Sequence, residues 1–500
     1  METFSEVFLN RVSSWGLAIL GAVVIILASW LYYPGSRSAY PLPPGPKGSF
    51  IIGNILQVPL ERSDAQFAEW AREYNSDIIY LNLLGQPVIV LNSLKPAVDL
   101  LDKRGVIYSD RPPFPLLEAL GFRSNVALIG DGTQYRKIRK AYGNFLSASS
   151  SLAYRDMQLR HAHTMASEIA TSPEKWQSCL SQFATRVLFG LAFAIDVVDE
   201  NDPYFKLANE MGWVLSNMGN PGFTVLDLAP WLGNVPRWIG NLIPSVKYAN
   251  DHNPVIEEFH QRPFDAVMQG HKAGIMKPSF LGRLLEAREA RREDEDVTKF
   301  FTDTEIRGAG GSLYSAGQDT TYSTETIFVM AMVLAPDVQK RAQKEIDMIT
   351  GGTRLPSFDD WKALSVVERM VYETLRFHPA VSSGIPHRTL KEDVYRGMCI
   401  PKANAWAMLH DPNVYKDPFT FNPERFLPVS EGGGGEPIPI GQFGFGRRVC
   451  PGQYFGFSSV WIAIATILAK FDIVPVKDKD GRDIMPKLEF TSGITRYDFA

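Results

Sequence analysis

One cysteine lies in a loop whose composition suits a metal ligand. Residues 443–452 read Phe-Gly-Phe-Gly-Arg-Arg-Val-Cys-Pro-Gly, so glycines and a proline surround Cys450. Amides in such a loop, together with the positive end of a helix that follows it, stabilise a thiolate, which is the form in which cysteine binds metals. The small glycines also let a flat, bulky group approach the backbone closely. The loop therefore predicts a thiolate ligand beside a planar group.

Two alternative interpretations stay open for the loop taken by itself. A single cysteine next to an apolar segment is often a buried, unreactive side chain. A phosphate-binding loop is also glycine-rich, but here no Gly-Lys-Ser or Gly-Lys-Thr follows and no βαβ unit frames the glycines. A disulfide framework is excluded, because Cys179, Cys399 and Cys450 are odd in number and scattered over a long chain.

The loop resembles the haem-binding signature of the cytochrome P450 family, F-x-x-G-x-R-x-C-x-G. Its fixed positions match at Phe443, Gly446, Arg448, Cys450 and Gly452. The resemblance implies that the cofactor is haem (heme b) and that Cys450 is the proximal thiolate on its iron. In this family the thiolate donates electron density that favours O–O cleavage. It also implies that Arg448 pairs with a haem propionate.

A second segment resembles the family's oxygen-binding motif, A/G-G-x-D/E-T-T/S. Residues 316–321 read Ala-Gly-Gln-Asp-Thr-Thr. By themselves, threonines often bond back to helix carbonyls, and a glycine can merely permit close packing. The resemblance implies that Gly317 lets the helix open over the haem, that Thr320 hydrogen-bonds the bound oxygen ligand and that Asp319 helps to bring in protons. An acid next to a hydroxyl suits such a proton relay.

Three charged residues resemble a structural triad of the family. Glu373 and Arg376 match its E-x-x-R helix, and Arg425 lies in a match to its P-E-R-F element. Opposite charges three positions apart on a helix usually form only a solvated pair. The resemblance implies that the three residues are buried together and lock the loop that carries Cys450.

The glycines in residues 431–436 predict a flexible surface turn.

Further basic residues resemble those that contact the haem propionates. Arg139 follows Tyr135 by four positions, as in the family's W-x-x-x-R pattern with tyrosine in place of tryptophan, so that a donor remains. His387 and Arg388 resemble the segment that reaches another propionate. The alternative for each is a basic residue on the surface.

Long helices are expected to position these residues. A capping-box pattern at residues 302–305 starts a proline-free segment that predicts a helix of about 30 residues, ended by Pro336. A second such pattern, Ser365-x-x-Glu368, predicts the start of another helix. Residues 453–470 are apolar on nearly all sides and predict a buried helix directly after Cys450.

Short β-type segments occur early in the chain. Residues 78–84 and 87–91 predict a small hairpin joined at Gly85-Gln86. Because helical patterns dominate elsewhere, the expected fold class is mostly α with a small β region, and the resemblance implies the P450 fold. In that fold, residues 380–385 line the substrate pocket and residues 111–125 form part of its roof.

An apolar segment near the N-terminus predicts a membrane anchor. Residues 15–33 are almost wholly apolar and, as a helix, long enough to cross a bilayer core of ~30 Å. A cleaved signal peptide is the alternative, but residues 28–30 make a poor cleavage site. The flanking basic residues favour a cytosolic body. Residues 1–36 are therefore expected to be one transmembrane helix, and residues 37–48 a proline-rich hinge.

Composition limits the domains and partners. The 500 residues carry 51 basic and 55 acidic side chains, a net charge of −4, so nucleic acid is not an expected partner. With 45% hydrophobic residues the chain can bury a large core, in one large domain or two. The resemblance implies that residues 49–500 form one catalytic domain. The resemblance implies O₂, a hydrophobic small molecule, NADPH–cytochrome P450 reductase and a lipid bilayer as partners. It also implies a single-pass protein of the endoplasmic reticulum membrane with a cytosolic catalytic domain.

The implied activity is that of a haem-thiolate monooxygenase, which inserts one oxygen atom from O₂ into its substrate. The chain is most similar to fungal microsomal (class II) enzymes of secondary metabolism, with a terpenoid as the first expected substrate and an aromatic or polyketide compound as the next. One departure is that Ile400-Pro401-Lys402 runs straight into residues 403–406, where the family has a short strand. A shortened haem-binding variant with little or no turnover is therefore one alternative. A haem-thiolate isomerase or dehydratase is another, although the Asp319-Thr320 pair argues against it.

Overall fold

The chain is built mainly from α-helices. The computed structural model describes residues 39–59, 63–219, 222, 224–290, 301–381, 384–400 and 414–486. The helices of ten residues or more are α1 (Ser63–Glu73), α2 (Thr133–Phe145), α3 (Arg155–Thr171), α4 (Trp176–Phe193), α5 (Pro203–Asn217), α6 (Pro244–Lys272), α7 (Phe280–Glu289), α8 (Asp303–Leu334), α9 (Pro336–Thr350), α10 (Ser365–Phe377) and α11 (Gln453–Lys470). Shorter α-helical segments are Leu94–Ala97, Gly105–Tyr108, Pro115–Leu120, Ala148–Ser151, Val225–Leu228 and Arg237–Gly240. The strands are β1 (Ile78–Leu83), β2 (Gln86–Leu91), β3 (Val394–Tyr395), β4 (Met398–Cys399), β5 (Val476–Lys477) and β6 (Asp483–Ile484). The predicted fold class, mostly α with a small β region, is confirmed.

The longest helix, α8, runs through the core. Its predicted capping box is confirmed: the Thr302 hydroxyl accepts a hydrogen bond from the Glu305 N–H, and the Glu305 carboxylate accepts one from the Thr302 N–H. The helix spans 32 residues and ends before Pro336, which opens α9 because proline is tolerated in a first helical turn. Helices α4, α6, α7, α10 and α11 pack around α8. Most of its side chains are consequently buried.

Helix α10 begins where predicted but is capped differently. No side chain of its own first turn caps it. Instead Glu345 of α9 accepts hydrogen bonds from the Val366 N–H at 2.9 Å and from the Ser365 hydroxyl at 3.1 Å. Glu368 accepts a hydrogen bond from the indole N–H of Trp361 at 3.2 Å. The predicted capping box is wrong here, because a carboxylate from a neighbouring helix satisfies the free amide.

The predicted hairpin is present, with its turn one residue earlier than expected. Strands β1 and β2 pair antiparallel, with Ile78 opposite Leu91 and Leu83 opposite Gln86. The turn residues are Leu84 and Gly85, which have φ of 48° and 81°. Positive φ at both central positions is what the tight turn of a twisted hairpin requires, and glycine adopts it without strain.

The predicted anchor, residues 1–36, lies outside the described residues. Among the residues that are described, no helix is both long and apolar enough to span a membrane. Part of the predicted hinge packs on the domain. The Pro44 carbonyl accepts a hydrogen bond from the Tyr80 N–H at 2.9 Å, and a Cβ at Gly45 would lie 2.2 Å from the Tyr80 oxygen. This part of the hinge therefore runs along β1.

Residues 393–400 form a small unit with residues 39–42. In it, β3 pairs antiparallel with β4, and the Cys399 N–H donates a hydrogen bond to the Pro41 carbonyl at 3.0 Å. The predicted departure from the family after Lys402 falls in residues 401–413, outside the described part of the chain.

Candidate active site

A cavity of about 360 Å³ lies between α8 and the loop that carries Cys450. Both segments predicted to form a substrate pocket line it. They contribute Arg111, Leu117, Phe122, Asn125, Ala380, Val381, Gly384 and Ile385. The predicted site residues in its wall are Arg139, Gly317, Asp319, Thr320, His387, Phe443, Arg448, Cys450 and Gly452. Residues separated by more than 300 positions in the sequence thus line one cavity.

Cys450 ends its loop shortly before α11 begins. The loop is closed by a hydrogen bond from the Cys450 N–H to the Phe443 carbonyl at 2.7 Å. Burial raises the pKa of the Cys450 thiol, while a hydrogen bond from the Gly452 amide and the positive charge of Arg139 lower it. The predicted help from loop amides is therefore present but outweighed by burial. A metal cation at the sulfur would reverse the balance, because coordination deprotonates a thiol.

The fixed glycine of the signature has a steric cause. Gly446 has a φ of 53°, a backbone conformation that residues with a side chain rarely adopt. A Cβ there would lie 2.3 Å from the Leu101 carbonyl oxygen and 3.0 Å from Cα of Asp102. Because both neighbours are backbone atoms, they cannot rotate away. Gly446 therefore lets the cysteine loop pack against residues 98–103.

Arg448 is held by the protein and presents one nitrogen without a partner. Its Nε donates to the Ser109 carbonyl at 2.6 Å, and Nη1 donates to the Val126 carbonyl at 3.4 Å. The guanidinium carbon lies 3.5 Å from the centre of the Tyr135 ring, a cation–π contact. Nη2 is buried and has no hydrogen-bond partner among the described residues. Since an unpaired buried donor is costly, this nitrogen suits an anion in the cavity.

Tyr135 does not keep a free donor for a propionate, contrary to expectation. Its hydroxyl donates a hydrogen bond to the Arg447 carbonyl at 2.8 Å. The phenol therefore fastens the cysteine loop and supports the Arg448 guanidinium with its ring. The prediction failed because the acceptor lies more than 300 residues away in the sequence.

Arg111 is a further cation of the cavity wall, to which the sequence patterns assigned no role. Its Nε donates to the Ala127 carbonyl at 2.9 Å, and Nη1 donates to the Ile385 carbonyl at 2.7 Å. Burial and the nearby charge of Arg448 lower the pKa of Arg111 to about 9. Its only sequence signal was a charged residue inside a segment expected to roof an apolar pocket.

His387 faces the cavity, but Arg388 does not. His387 Nδ1 lies 2.7 Å from the Tyr108 carbonyl, and since a carbonyl only accepts, Nδ1 carries the proton. Burial and the charge of Arg111 hold the pKa of His387 well below its usual range. Arg388 instead donates from Nε to Asp110 at 2.7 Å, with its side chain half exposed. The predicted propionate contact of Arg388 is not supported, because a nearby carboxylate binds its guanidinium.

The residues present fit the haem that the signature implies. Arg111, Arg139 and Arg448 place three positive charges in the lining of the cavity. Burial, with repulsion from a neighbouring guanidinium, lowers the pKa of both Arg111 and Arg448. Negatively charged propionates would relieve this repulsion, and the unpartnered Nη2 of Arg448 offers a donor to one of them. Cys450 lines the same cavity and supplies the sulfur.

Helix α8 brings Thr320 to the cavity, but the helix is not opened there. The Thr320 hydroxyl donates to the Ala316 carbonyl at 2.8 Å, the back-bonding common for threonine in helices. A Cβ at Gly317 would lie 2.7 Å from a methyl carbon of Leu188 on α4. Helix α8 is continuous through the motif. The predicted opening at Gly317 is therefore absent, and the glycine instead permits close packing of α8 on α4.

Asp319 and Thr320 have different neighbours. Asp319 is 1% exposed, and a Cβ at Gly212 of α5 would lie 2.9 Å from its Oδ1. Consecutive residues of an α-helix project about 100° apart, so the two side chains point in different directions although both residues line the cavity. The expectation that adjacency alone joins the acid to the hydroxyl is therefore not supported. Asp319 rests against α5, while the Thr320 hydroxyl bonds back to α8.

The three residues of the predicted triad are brought together and fully buried. Arg376 donates from Nε and Nη2 to Glu373 at 2.8 and 2.9 Å, and Arg425 donates from Nε to Glu373 at 3.0 Å. Arg376 also donates to the Pro418 carbonyl at 2.7 Å, and Arg425 donates to the Lys416 carbonyl at 2.8 Å. These bonds fix the segment from residue 416 to 425 on α10.

A fourth member, Glu436, completes the charge balance. It lies 2.6 Å from Nη1 of Arg425, so two acids face two guanidinium groups. The glycine turn before it lies at the surface as predicted, but hydrogen bonds and close contacts hold it on the neighbouring segment. The Glu436 N–H donates to the Arg425 carbonyl at 2.7 Å, and a Cβ at Gly433 would lie 2.3 Å from Leu427. The glycines therefore let the turn pack on the neighbouring segment.

Comparisons with known proteins agree with the geometry. The family model described as "Cytochrome P450" matches residues 43–499. A cytochrome P450 monooxygenase of Armillaria gallica is 35% identical over 492 residues, covering 95% of this chain and 94% of that protein. Cytochrome P450 monooxygenase 98 of Postia placenta is 33% identical, covering 96% of this chain and 92% of its own. Cytochrome P450 monooxygenase COX2 of Coprinopsis cinerea is 33% identical, with 95% and 91% covered.

Proposed function

Because the chain belongs to the cytochrome P450 family, we propose that it oxidises a hydrophobic small molecule of fungal secondary metabolism by inserting one atom of O₂. The family establishes that it is a haem-dependent oxidoreductase of the monooxygenase type. The observation that carries the proposal is that Cys450 and three arginines line the same cavity as a set of apolar side chains. Sulfur and cations suit the cofactor, and the apolar remainder suits the substrate.

The chain's own residues would hold the cofactor from two sides. The Cys450 thiolate would bind the iron, while Arg111, Arg139 and Arg448 would hold the propionates through charge-assisted hydrogen bonds. His387 lines the same cavity, with its Nδ1 bonded to the Tyr108 carbonyl. When bound, haem supplies the activation of O₂, assisted by electron donation from the thiolate.

The rest of the cavity would orient the substrate and exclude water. Leu117, Phe122, Leu188, Leu313 and Ile385 give the wall an apolar surface without charge. Such a wall binds a hydrocarbon skeleton by shape, with little demand for polar groups. A terpenoid is the proposed substrate class, with an aromatic or polyketide compound as the next.

Thr320 and Asp319 would deliver the protons that reduction of O₂ consumes. The Thr320 hydroxyl can exchange its bond to the Ala316 carbonyl for a bond to a ligand in the cavity. Asp319, enclosed against α5, would hold a proton away from bulk water until it is passed on. This order of hand-over gives Asp319 the role of the acid and Thr320 the role of the donor nearest the substrate.

The proposed cellular setting follows from the N-terminal residues. Residues 1–36 would anchor the protein as one transmembrane helix in the endoplasmic reticulum membrane, with the catalytic domain in the cytosol. There it would receive electrons from NADPH–cytochrome P450 reductase. Fractionation of the full chain and of a chain starting at residue 37 tests this: carbonate extraction should release only the shorter protein.

The activity is tested by spectroscopy and turnover together. The reduced protein with carbon monoxide should show a thiolate-type Soret band, and Cys450→Ser should lack it. With reductase and NADPH, a panel of terpenoid, aromatic and polyketide substrates should give hydroxylated products. No thiolate-type band would refute the haem-thiolate assignment. A normal band without reductase-dependent product would instead favour an isomerase or a variant without turnover.

A further inference from the structure

Asp319 lies against an unusual place on α5. Gly212 is in the middle of that helix, where glycine is normally unfavourable relative to alanine. A Cβ at Gly212 would lie 2.9 Å from Oδ1 of Asp319 and 3.7 Å from Oε1 of Gln318. The first distance is shorter than a carbon–oxygen contact allows. The absence of a side chain at position 212 therefore lets the Asp319 carboxylate reach the backbone of α5.

The surroundings of this contact are polar and reach the surface. Gln318, 3% exposed, donates from Nε2 to the Ser181 hydroxyl at 3.4 Å. Ser181 in turn donates to Oδ1 of Asn209 at 3.1 Å, and Asn209 is exposed on α5. A line of polar side chains thus runs from solvent to the residue next to Asp319, across otherwise apolar helix packing.

One acceptor in this cluster is not satisfied by the protein. Oε1 of Gln318 is buried and has no hydrogen-bond partner within the described part of the chain. A buried acceptor of this kind normally bonds a donor, such as an ordered water. A donor at this position would lie beside Gly212, since Oε1 of Gln318 and Oδ1 of Asp319 both face that residue.

We propose that Gly212 is a positioning residue for Asp319: it lets the carboxylate lie against α5 beside Oε1 of Gln318, where a water bound to that oxygen would pass protons to the acid. The inference rests on the proposed function, in which Asp319 supplies protons to the cavity. In the step, the water accepts a proton from solvent and gives one to the Asp319 carboxylate, and the resulting acid later releases that proton into the cavity that Asp319 and Thr320 both line. No electron is transferred.

Gly212→Ala is the decisive variant. The added methyl group would meet the end of a rotatable side chain, so Asp319 is expected to turn away rather than the helices to separate. Glycine to alanine inside a helix is ordinarily stabilising, so the melting temperature should be unchanged or higher. Gly143→Ala in α2 is the matched control, because a Cβ there meets nothing within 4 Å.

The native protein and the variants are compared as haem-loaded full chains. Three quantities are measured: the product formed per NADPH, the solvent isotope effect on turnover, and the infrared carboxyl band of Asp319 in the resting protein. Loss of that band in Asp319→Asn identifies it. Gly212→Ala should shift the band, raise the isotope effect and lower product per NADPH at least about tenfold, against roughly 10²-fold for losing a general acid altogether. Gly143→Ala should behave as the native protein.

An unshifted band and unchanged coupling in Gly212→Ala would overturn the inference. The double variant gives a second test. If Gly212→Ala lowers coupling as much in the Asp319→Asn background as in the native protein, the inference is overturned, because a residue that acts through Asp319 has no further effect once the acid is gone. A native protein without reductase-dependent product would refute the proposed function instead. The infrared shift then decides the role of Gly212 without turnover.

Discussion

Replacing Glu373 with glutamine tests whether charge holds the buried cluster on α10 together. The Glu373 carboxylate lies 2.8 Å from Nε of Arg376 and 3.0 Å from Nε of Arg425. Glutamine keeps the size of the side chain and one acceptor oxygen but removes the negative charge. Two guanidinium groups, 0% and 1% exposed, would then face Glu436 as the remaining acid of the cluster.

The cost can be bounded from this geometry. Removing one partner of a buried ion pair destabilises a protein by about 3–5 kcal/mol, because the other charge stays buried. Glu436→Gln is the matched control: the same substitution opposite the same Arg425, but at a carboxylate whose side chain is 13% exposed. Water can replace part of that bond, so we expect a loss of about 1.5 kcal/mol there. Since a domain is stable by about 5–15 kcal/mol in total, the larger loss is readily measured.

Guanidinium chloride unfolding, followed by circular dichroism, gives the free energy of unfolding for each variant. If unfolding is irreversible, the rate of loss of the Soret band at a fixed temperature ranks the variants instead. Equal losses for Glu373→Gln and Glu436→Gln would refute the reasoning. The average single substitution lowers the free energy of unfolding by about 1 kcal/mol. A smaller loss for Glu373→Gln would therefore refute the reasoning as well.

Three other contacts lead to separate predictions. Tyr135→Phe removes the hydroxyl that bonds to the cysteine loop and should lower the free energy of unfolding by about 1 kcal/mol, measured by thermal denaturation. Burial raises the pKa of Glu325 well above 4.5, so above that pH the unfolded chain releases a proton that the native state keeps, and stability falls as pH rises. Glu325→Gln should therefore increase stability at pH 8 but not at pH 4, measured by unfolding at both values. Gly446→Ala should weaken haem binding in a titration far more than Gly444→Ala, because both glycines have positive φ but the added Cβ would lie 2.3 Å from a backbone oxygen in the first and 3.7 Å in the second.

Each of these predictions has a clear contradictory outcome. An unchanged melting temperature in Tyr135→Phe would mean that the hydroxyl contributes nothing to the loop. A gain in Glu325→Gln that is the same at both pH values would show that the carboxyl group does not titrate differently on folding. Equal haem affinities in the two glycine variants would mean that the loop can move away from residues 98–103.

Features encoded by neighbouring residues were predictable from the sequence alone. The cysteine loop, the capping box of α8 and the proline that ends it depend on a few consecutive residues whose conformations are restricted locally. The β1–β2 hairpin and the buried helix α11 follow from hydrophobic pattern and length in the same way. The haem signature is also local, because Gly446 and Cys450 must shape one turn.

Partners brought together from distant parts of the chain were decided only by the tertiary structure. The hydroxyl of Tyr135 bonds to the Arg447 carbonyl, Arg111 becomes part of the cavity wall, and Glu436 joins the triad. Helix capping by Glu345 and the pairing of Arg388 with Asp110 are of the same kind.

The physical reason is that a polar side chain takes the best partner that folding brings within about 3 Å, and sequence spacing does not fix that partner. Glu373, Arg376 and Arg425 could be grouped in advance because they resemble a known pattern. The direction of Asp319 could not, since it depends on a missing Cβ at Gly212 of another helix. The sequence therefore determined which groups are available for the chemistry, and the packing of α5 on α8 decided where the acid among them points.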